Sequence, residues 1–313
     1  MVYELFISTA VSNGELPAKL SERFYWLEEK GYSFILEEQY RNAEQVSFRV
    51  RLVGSNPELP FRDEDMIYIF KHQLAEFMAE HVVYDWEPLL VWKEICKKSR
   101  QLSPGDRPVV YEKASSFLKN CNQNESLNLL MNYGRKNRIA HKIMDYLYSN
   151  NILFIEGFIQ FCMREYLNEI RFAVDLACEE LKSEKEYNEF VQLLRYFVDT
   201  QPSYIIEVNL FIDKQGNYIL WDEDGKRLDD DLINYYLEDL LVPDITLDDI
   251  LISILITIAP RRIILHRTGD EILNESVKMI QQVFAERIQE CRGCKHCKGL
   301  LRDLQSGPYS FEP

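Results

Sequence analysis

The sequence predicts an α+β fold: an N-terminal β-α-β-β unit followed by a mainly helical region with a small sheet. Three observations predict it. Val46, Phe48, Val50 and Leu52 alternate with polar neighbours, the period of a strand buried on one face. Tyr204 to Ile212 and Tyr218 to Trp221 are short apolar runs joined by Asp213-Lys214-Gln215-Gly216-Asn217, a hairpin pattern with residues that tolerate positive φ. Elsewhere apolar residues recur at helical spacing, as at Ile139, Ile143, Tyr146 and Leu147.

In chain order, Val2 to Ser8 is an apolar, partly β-branched strand. Leu16, Leu20, Phe24 and Leu27 mark a helix that Gly31 stops. Phe34 and Leu36, then Gln45 to Val53, complete the β-α-β-β unit. A helix begins at Asp63, where Asp63, Glu64 and Asp65 suit a positive helix N-terminus, and Ile67, Phe70, Leu74, Phe77 and Met78 give its stripe. Ser99 to Pro108 reads as a linker and Asn120 to Asn128 as a loop. From Arg135 the pattern is helical, with stripes over Ile155 to Leu181 and Phe190 to Val198, ended by Pro202. After the hairpin come helices at Asp231 to Leu241 and Leu247 to Ile258. A buried strand at Arg262 to His266 and an amphipathic helix over Asn274 to Glu290 follow, and Ser306 to Pro313 reads as loose.

These elements suggest an N-terminal domain over 1–105, a linker with short helices over 106–134, a helical region with a small sheet over 135–302, and a loose tail over 303–313. The whole chain of 313 residues is long enough to bury a core without metal or disulfide.

The chain is acidic, with a formal net charge of −15, which argues against an extended nucleic-acid face and against docking on anionic lipid. Asp222 to Asp249 holds eleven acidic and two basic residues. Setting Gly225 on the glycine of a calcium loop puts Leu220 at the first ligand position, so that site fails at its first ligand. The N-terminus has no basic start or long apolar stretch. The apolar run Ile250 to Pro260 is too short for a membrane span of ~20 residues. A soluble, cytoplasmic protein with protein partners is expected.

Three of the seven cysteines, Cys291, Cys294 and Cys297, fall within seven residues as C-x2-C-x2-C. Thiolates bind soft or borderline metals, and two-residue gaps let a turn aim successive sulfurs at one centre. A continuous helix would spread them, so Gly293 is where the chain must turn. The spacing matches the first three positions of a ferredoxin run, but Leu301 stands where the fourth cysteine belongs. An iron–sulfur cluster with an open position and a zinc site both remain, with His296, His266 or another chain as the fourth ligand. Redox-active thiols, or unligated thiols on a frayed tail, are the alternatives. Cys162, among Phe158, Ile159, Phe161 and Tyr166, reads as a small buried residue.

Glu156, Arg195 and His266 each interrupt an apolar segment, and buried charge needs a partner. They are expected to form a buried polar cluster, the only candidate enzyme site. Walker A, GxGxxG, GxSxG and HExxH motifs are absent from the sequence.

The segments Ile155-Glu156-Gly157-Phe158-Ile159-Gln160-Phe161, Glu189 to Val198, and Ile258 to His266 resemble the YtxC-like family associated with sporulation. The resemblance covers about Arg135 to Cys297, and one basic position is displaced, since Cys162 and Met163 precede Arg164. It implies a sporulation setting and brings no catalytic residue with it. The expected function is a cytoplasmic structural or interaction protein of sporulation. The alternatives are a thiol-ligated metal sensor or redox protein, and an enzyme of another class.

Overall fold

The computed structural model describes residues 2–10, 16–41, 45–54, 62–98, 100–119, 125–212, 218–228, 247–267 and 275–294. The chain forms two compact units, Met1–Lys182 and Ser183–Pro313. The α+β expectation holds in each: both carry a four-stranded sheet and helices.

In the first unit, β1 (Tyr3–Thr9), β2 (Tyr32–Arg41), β3 (Val46–Gly54) and β4 (Ile152–Phe154) take the order β2-β3-β1-β4. The β1–β3 and β2–β3 pairs are antiparallel and β1–β4 is parallel. Alternation decides the faces. Leu5 and Ile7 of β1 and Phe48, Val50 and Leu52 of β3 are buried. The opposite face mixes Phe6, Ile35 and Val53 with charged residues and carries cross-strand ion pairs, among them Arg51–Glu37 and Arg49–Glu4.

Helices α1 (Leu16–Arg23), α2 (Trp26–Glu29) and α3 (Asp63–His81) supply apolar faces to this sheet's core. Phe70 of α3 sits 4.8 Å from Phe24 and 6.0 Å from Tyr3, ring centre to ring centre. Burying such a ring contributes about 1.5–3 kcal/mol. A π-helical turn, Val82–Trp86, leads into α4 (Glu87–Lys97). Then come α5 (Asp106–Lys119), α6 (Glu125–Ser149), α7 (Ile155–Cys162) and α8 (Arg164–Thr200).

The core does not divide where the composition suggested, at 105 or 134. Val110 and Ala114 of α5, Ile143 and Leu147 of α6, and Ile170 and Ala177 of α8 belong to the same apolar cluster as the sheet. The strand β4, hidden in the sequence by its brevity, ties residues beyond 150 to β1. The single stripe read over Ile155 to Leu181 lies on two helices, broken at Met163, and the second helix runs on to Thr200 and carries the Phe190 to Val198 stripe as well.

In the second unit, β5 (Glu207–Ile212), β6 (Tyr218–Asp222), β7 (Arg262–Arg267) and β8 (Ile288–Glu290) take the order β6-β5-β7-β8. The hairpin β5–β6 is antiparallel, while β5–β7 and β7–β8 are parallel. Val208, Leu210, Leu220, Ile263 and Leu265 form one buried face against α9 (Leu247–Ile258) and α10 (Glu275–Phe284). The helix expected over Asn274 to Glu290 stops early. A 3-10 turn, Ala285–Arg287, opens with Ala285 at φ 29°, and Ile288 enters the sheet as β8. The helix expected at Asp231 to Leu241, the hairpin turn and the tail lie outside the described residues. Among the described residues, no helix is long and apolar enough to cross a membrane.

Candidate metal centre

With one face of the second sheet given to the core, strand alternation sends Asn209, Phe211, Trp221 and His266 to the other. His266 lies near the end of β7 and is buried. The chain after β8 crosses onto this region: the Cys291 N–H donates to the Leu265 carbonyl at 2.9 Å, extending the β7–β8 pairing by one rung. Cys291 therefore arrives beside His266.

The chain then turns. Gly293 sits at φ 103°, in the region that glycine adopts freely, and its N–H points back to Cys291 Sγ at 3.4 Å. This turn aims Cys294 at the same point. Cys294 Sγ lies 3.6 Å from His266 Nδ1, and one ligand atom each from His266, Cys291 and Cys294 lie within 4.8 Å of one another. Among the described residues, this is the one grouping of three or more such side chains that can hold a metal ion.

The dimensions suit a single ion. Tetrahedral zinc, with Zn–S near 2.3 Å and Zn–N near 2.05 Å, places a thiolate sulfur and an imidazole nitrogen about 3.6 Å apart. In a four-iron cluster each thiolate binds a different iron, which spreads the ligands. Both cysteines are half-buried.

The imidazole is held from its far side. His266 Nε2 lies 3.0 Å from Asn209 Oδ1, and the Trp221 ring stacks at 5.1 Å, tilted by 31°. Asn209 is a residue the sequence reading missed. Its relation to His266 depends on the register of β5 against β7, 57 residues apart in the chain.

Of the residues read from the sequence as metal ligands, the structure brings Cys291 and Cys294 together and adds His266, foreseen as an outside ligand. Cys297 and His296 lie outside the described residues. The other expectation needs correction. Glu156, Arg195 and His266 do not form one buried cluster. Arg195 is exposed, on the solvent side of α8, and pairs with Glu286 at 3.4 Å. Its apolar neighbours misled because Phe190, Leu193 and Phe197 are exposed as well. Glu156 stands in the first turn of α7, where Oε1 accepts a bond from the Ala10 N–H. Cys162, read as buried, is exposed at the end of α7.

The first unit holds a different titratable pair. His81 Nδ1 lies 2.8 Å from Asp85 Oδ2, across the start of the π-helical turn, beside a cavity of about 210 Å³ that Lys19 also lines. Burial pushes the His81 imidazole below the ordinary histidine range, against the pull of Asp85 and Glu156.

The YtxC-like family profile matches residues 72–289, more than two thirds of the sequence. The chain belongs to the YtxC-like family. It is 28% identical over 157 residues to a Bacillus subtilis (strain 168) protein described as "Uncharacterized protein YtxC". That match takes in 50% of this chain and 54% of the relative, so the chain spans about half the length of the relative it matches. No solved structure matches. The family region reaches His266 and Asn209 but ends at 289, just before Cys291.

Proposed function

We propose that the second unit is a metal-binding module in which Cys291, Cys294 and His266 hold one zinc ion, within a cytoplasmic protein of sporulation. The observation that supports it is the convergence of two thiols and an imidazole within 4.8 Å at the end of one sheet. Cys297 repeats the two-residue gap and is the fourth ligand in this reading, on sequence spacing alone. Zinc in such a closed site carries out no chemistry of its own. It anchors the terminal segment to the sheet, and the anchored surface then serves protein partners. The sporulation setting rests on the resemblance carried by Ile155 to Phe161, Glu189 to Val198 and Ile258 to His266.

The test is metal analysis, with a visible spectrum, of protein purified without oxygen. About one zinc per chain and a colourless solution are expected. Cys294→Ser, which removes one ligand and leaves both sheets intact, loses most of that zinc. Brown protein with stoichiometric iron transfers the site to an iron–sulfur cluster, and the absence of both metals overturns the reading.

A further inference from the structure

We infer that Asn209 is the positioning residue that makes Nδ1 of His266, rather than Nε2, the metal-binding atom. The inference rests on the zinc reading above and deepens it.

A neutral imidazole has one N–H and one lone pair, and only the lone pair can bind a metal. The hydrogen-bond network around Asn209 decides which nitrogen has which. Asn209 Nδ2 lies 3.4 Å from Glu207 Oε1 and 3.4 Å from the Asp222 carbonyl oxygen. Both are acceptors, so the amide NH2 belongs on that side. Turned over, the amide would set its oxygen against a carboxylate and a carbonyl. The Asn209 oxygen is therefore the atom 3.0 Å from His266 Nε2, and Nε2 must carry the hydrogen. The lone pair is left on Nδ1, the nitrogen 3.6 Å from Cys294 Sγ.

The position of Asn209 is itself fixed. It is buried on β5, opposite Trp221 on β6 and Ile264 on β7. Trp221 lies against the imidazole and holds the ring plane. A partner on the far nitrogen of a ligating histidine fixes the ring and raises its basicity, and losing it typically costs 10–100-fold in affinity.

The experiment uses the full-length chain, stripped with a chelator and reloaded with Zn2+ against a chromophoric competitor. Asn209→Leu is expected to weaken zinc binding by about 10–100-fold. Glu207→Gln keeps an acceptor toward Asn209 and is expected to bind within about threefold of the parent, below the ~10–100-fold loss of a missing partner. Nitrogen-15 spectra of the metal-free parent read the tautomer directly, with the proton expected on Nε2 of His266. This measurement stands even if Asn209→Leu fails to fold. A proton on Nδ1 overturns the inference, as does an Asn209→Leu chain that folds and binds zinc as tightly as the parent. A parent that binds no zinc overturns the metal reading instead, and the two failures are distinguishable.

Discussion

At the scale of single residues, His81 and His266 show how burial acts on one side-chain type in two settings. His266 has Asn209 on one nitrogen and a thiol near the other. His81 has Asp85 on Nδ1, and its Nε2 is buried without a hydrogen-bond partner among the described residues. Burial holds His81 neutral, Lys19 works in the same direction, and Asp85 and Glu156 oppose them. In the unfolded chain a histidine takes up its proton near ~6.5. Below that pH the unfolded state binds more protons than the folded one, so stability falls as pH drops and levels off below the folded pKa. Denaturation midpoints of the parent should therefore fall between about pH 7 and 5 more steeply than those of His81→Gln. Parallel slopes in urea titrations at the two pH values would contradict this.

The residue scale also shows what was legible. Cys291, Cys294 and the turn at Gly293 could be read locally, because their spacing is the chemistry. Asn209 could not, since only strand register brings it to His266. Arg195 was misplaced for a physical reason. An apolar environment in sequence is not burial: α8 exposes Phe190, Leu193 and Phe197 as well as Arg195.

At the scale of elements, the helices of the first unit are joined by a buried polar knot. Arg135 of α6 meets Glu87 of α4 at 3.2 Å, and the Tyr166 hydroxyl of α8 donates to Glu87 Oε2 at 2.6 Å. Burial and the adjacent Glu87 carboxylate push the Tyr166 hydroxyl well above the ordinary tyrosine range, so it stays protonated and donates. Removing the carboxylate leaves Arg135 charged in a site where its side chain is only 10% exposed. Glu87→Leu is expected to destabilise the protein by about 3–5 kcal/mol in urea unfolding. Lys97→Ala breaks an exposed pair with Glu94 and should stay within about 0.5 kcal/mol of the parent. Equal losses in the two variants would contradict the account.

Element types were readable where the period was long and unbroken, as in α3 and β3. Two elements were not. Ile152–Phe154 is three residues and has no period to read. Ile288–Glu290 continues a helical pattern, and only a backbone reversal at Ala285 diverts it into the sheet.

At the scale of the whole molecule, two cores explain why a metal site can be local. The cluster around Val50, Phe70 and Ile143 lies in Met1–Lys182, and that around Leu210, Ile254 and Val283 in Ser183–Pro313. A chain this long folds on its own apolar burial, so a zinc ion at Cys291, Cys294 and His266 stabilises what it touches. Chelation should raise hydrogen–deuterium exchange in β7, β8 and the segment to Cys294, and leave β1 and β3 unchanged. A rise spread over both sheets would make the metal a global folding element instead. The fold class was legible from composition and period, but the division at Lys182 was not. It falls inside a continuous helix, where neither proline nor glycine marks it and the polar run Lys182-Ser183-Glu184-Lys185-Glu186 reads as a solvated helix face.

X-ray absorption at the metal edge of oxygen-free protein tests the central claim most directly, because one spectrum reports the ion and its ligands together. The account predicts zinc with sulfur neighbours near 2.3 Å and one imidazole nitrogen near 2.0–2.1 Å. A shell of oxygen and nitrogen alone, or no edge above background, would contradict it.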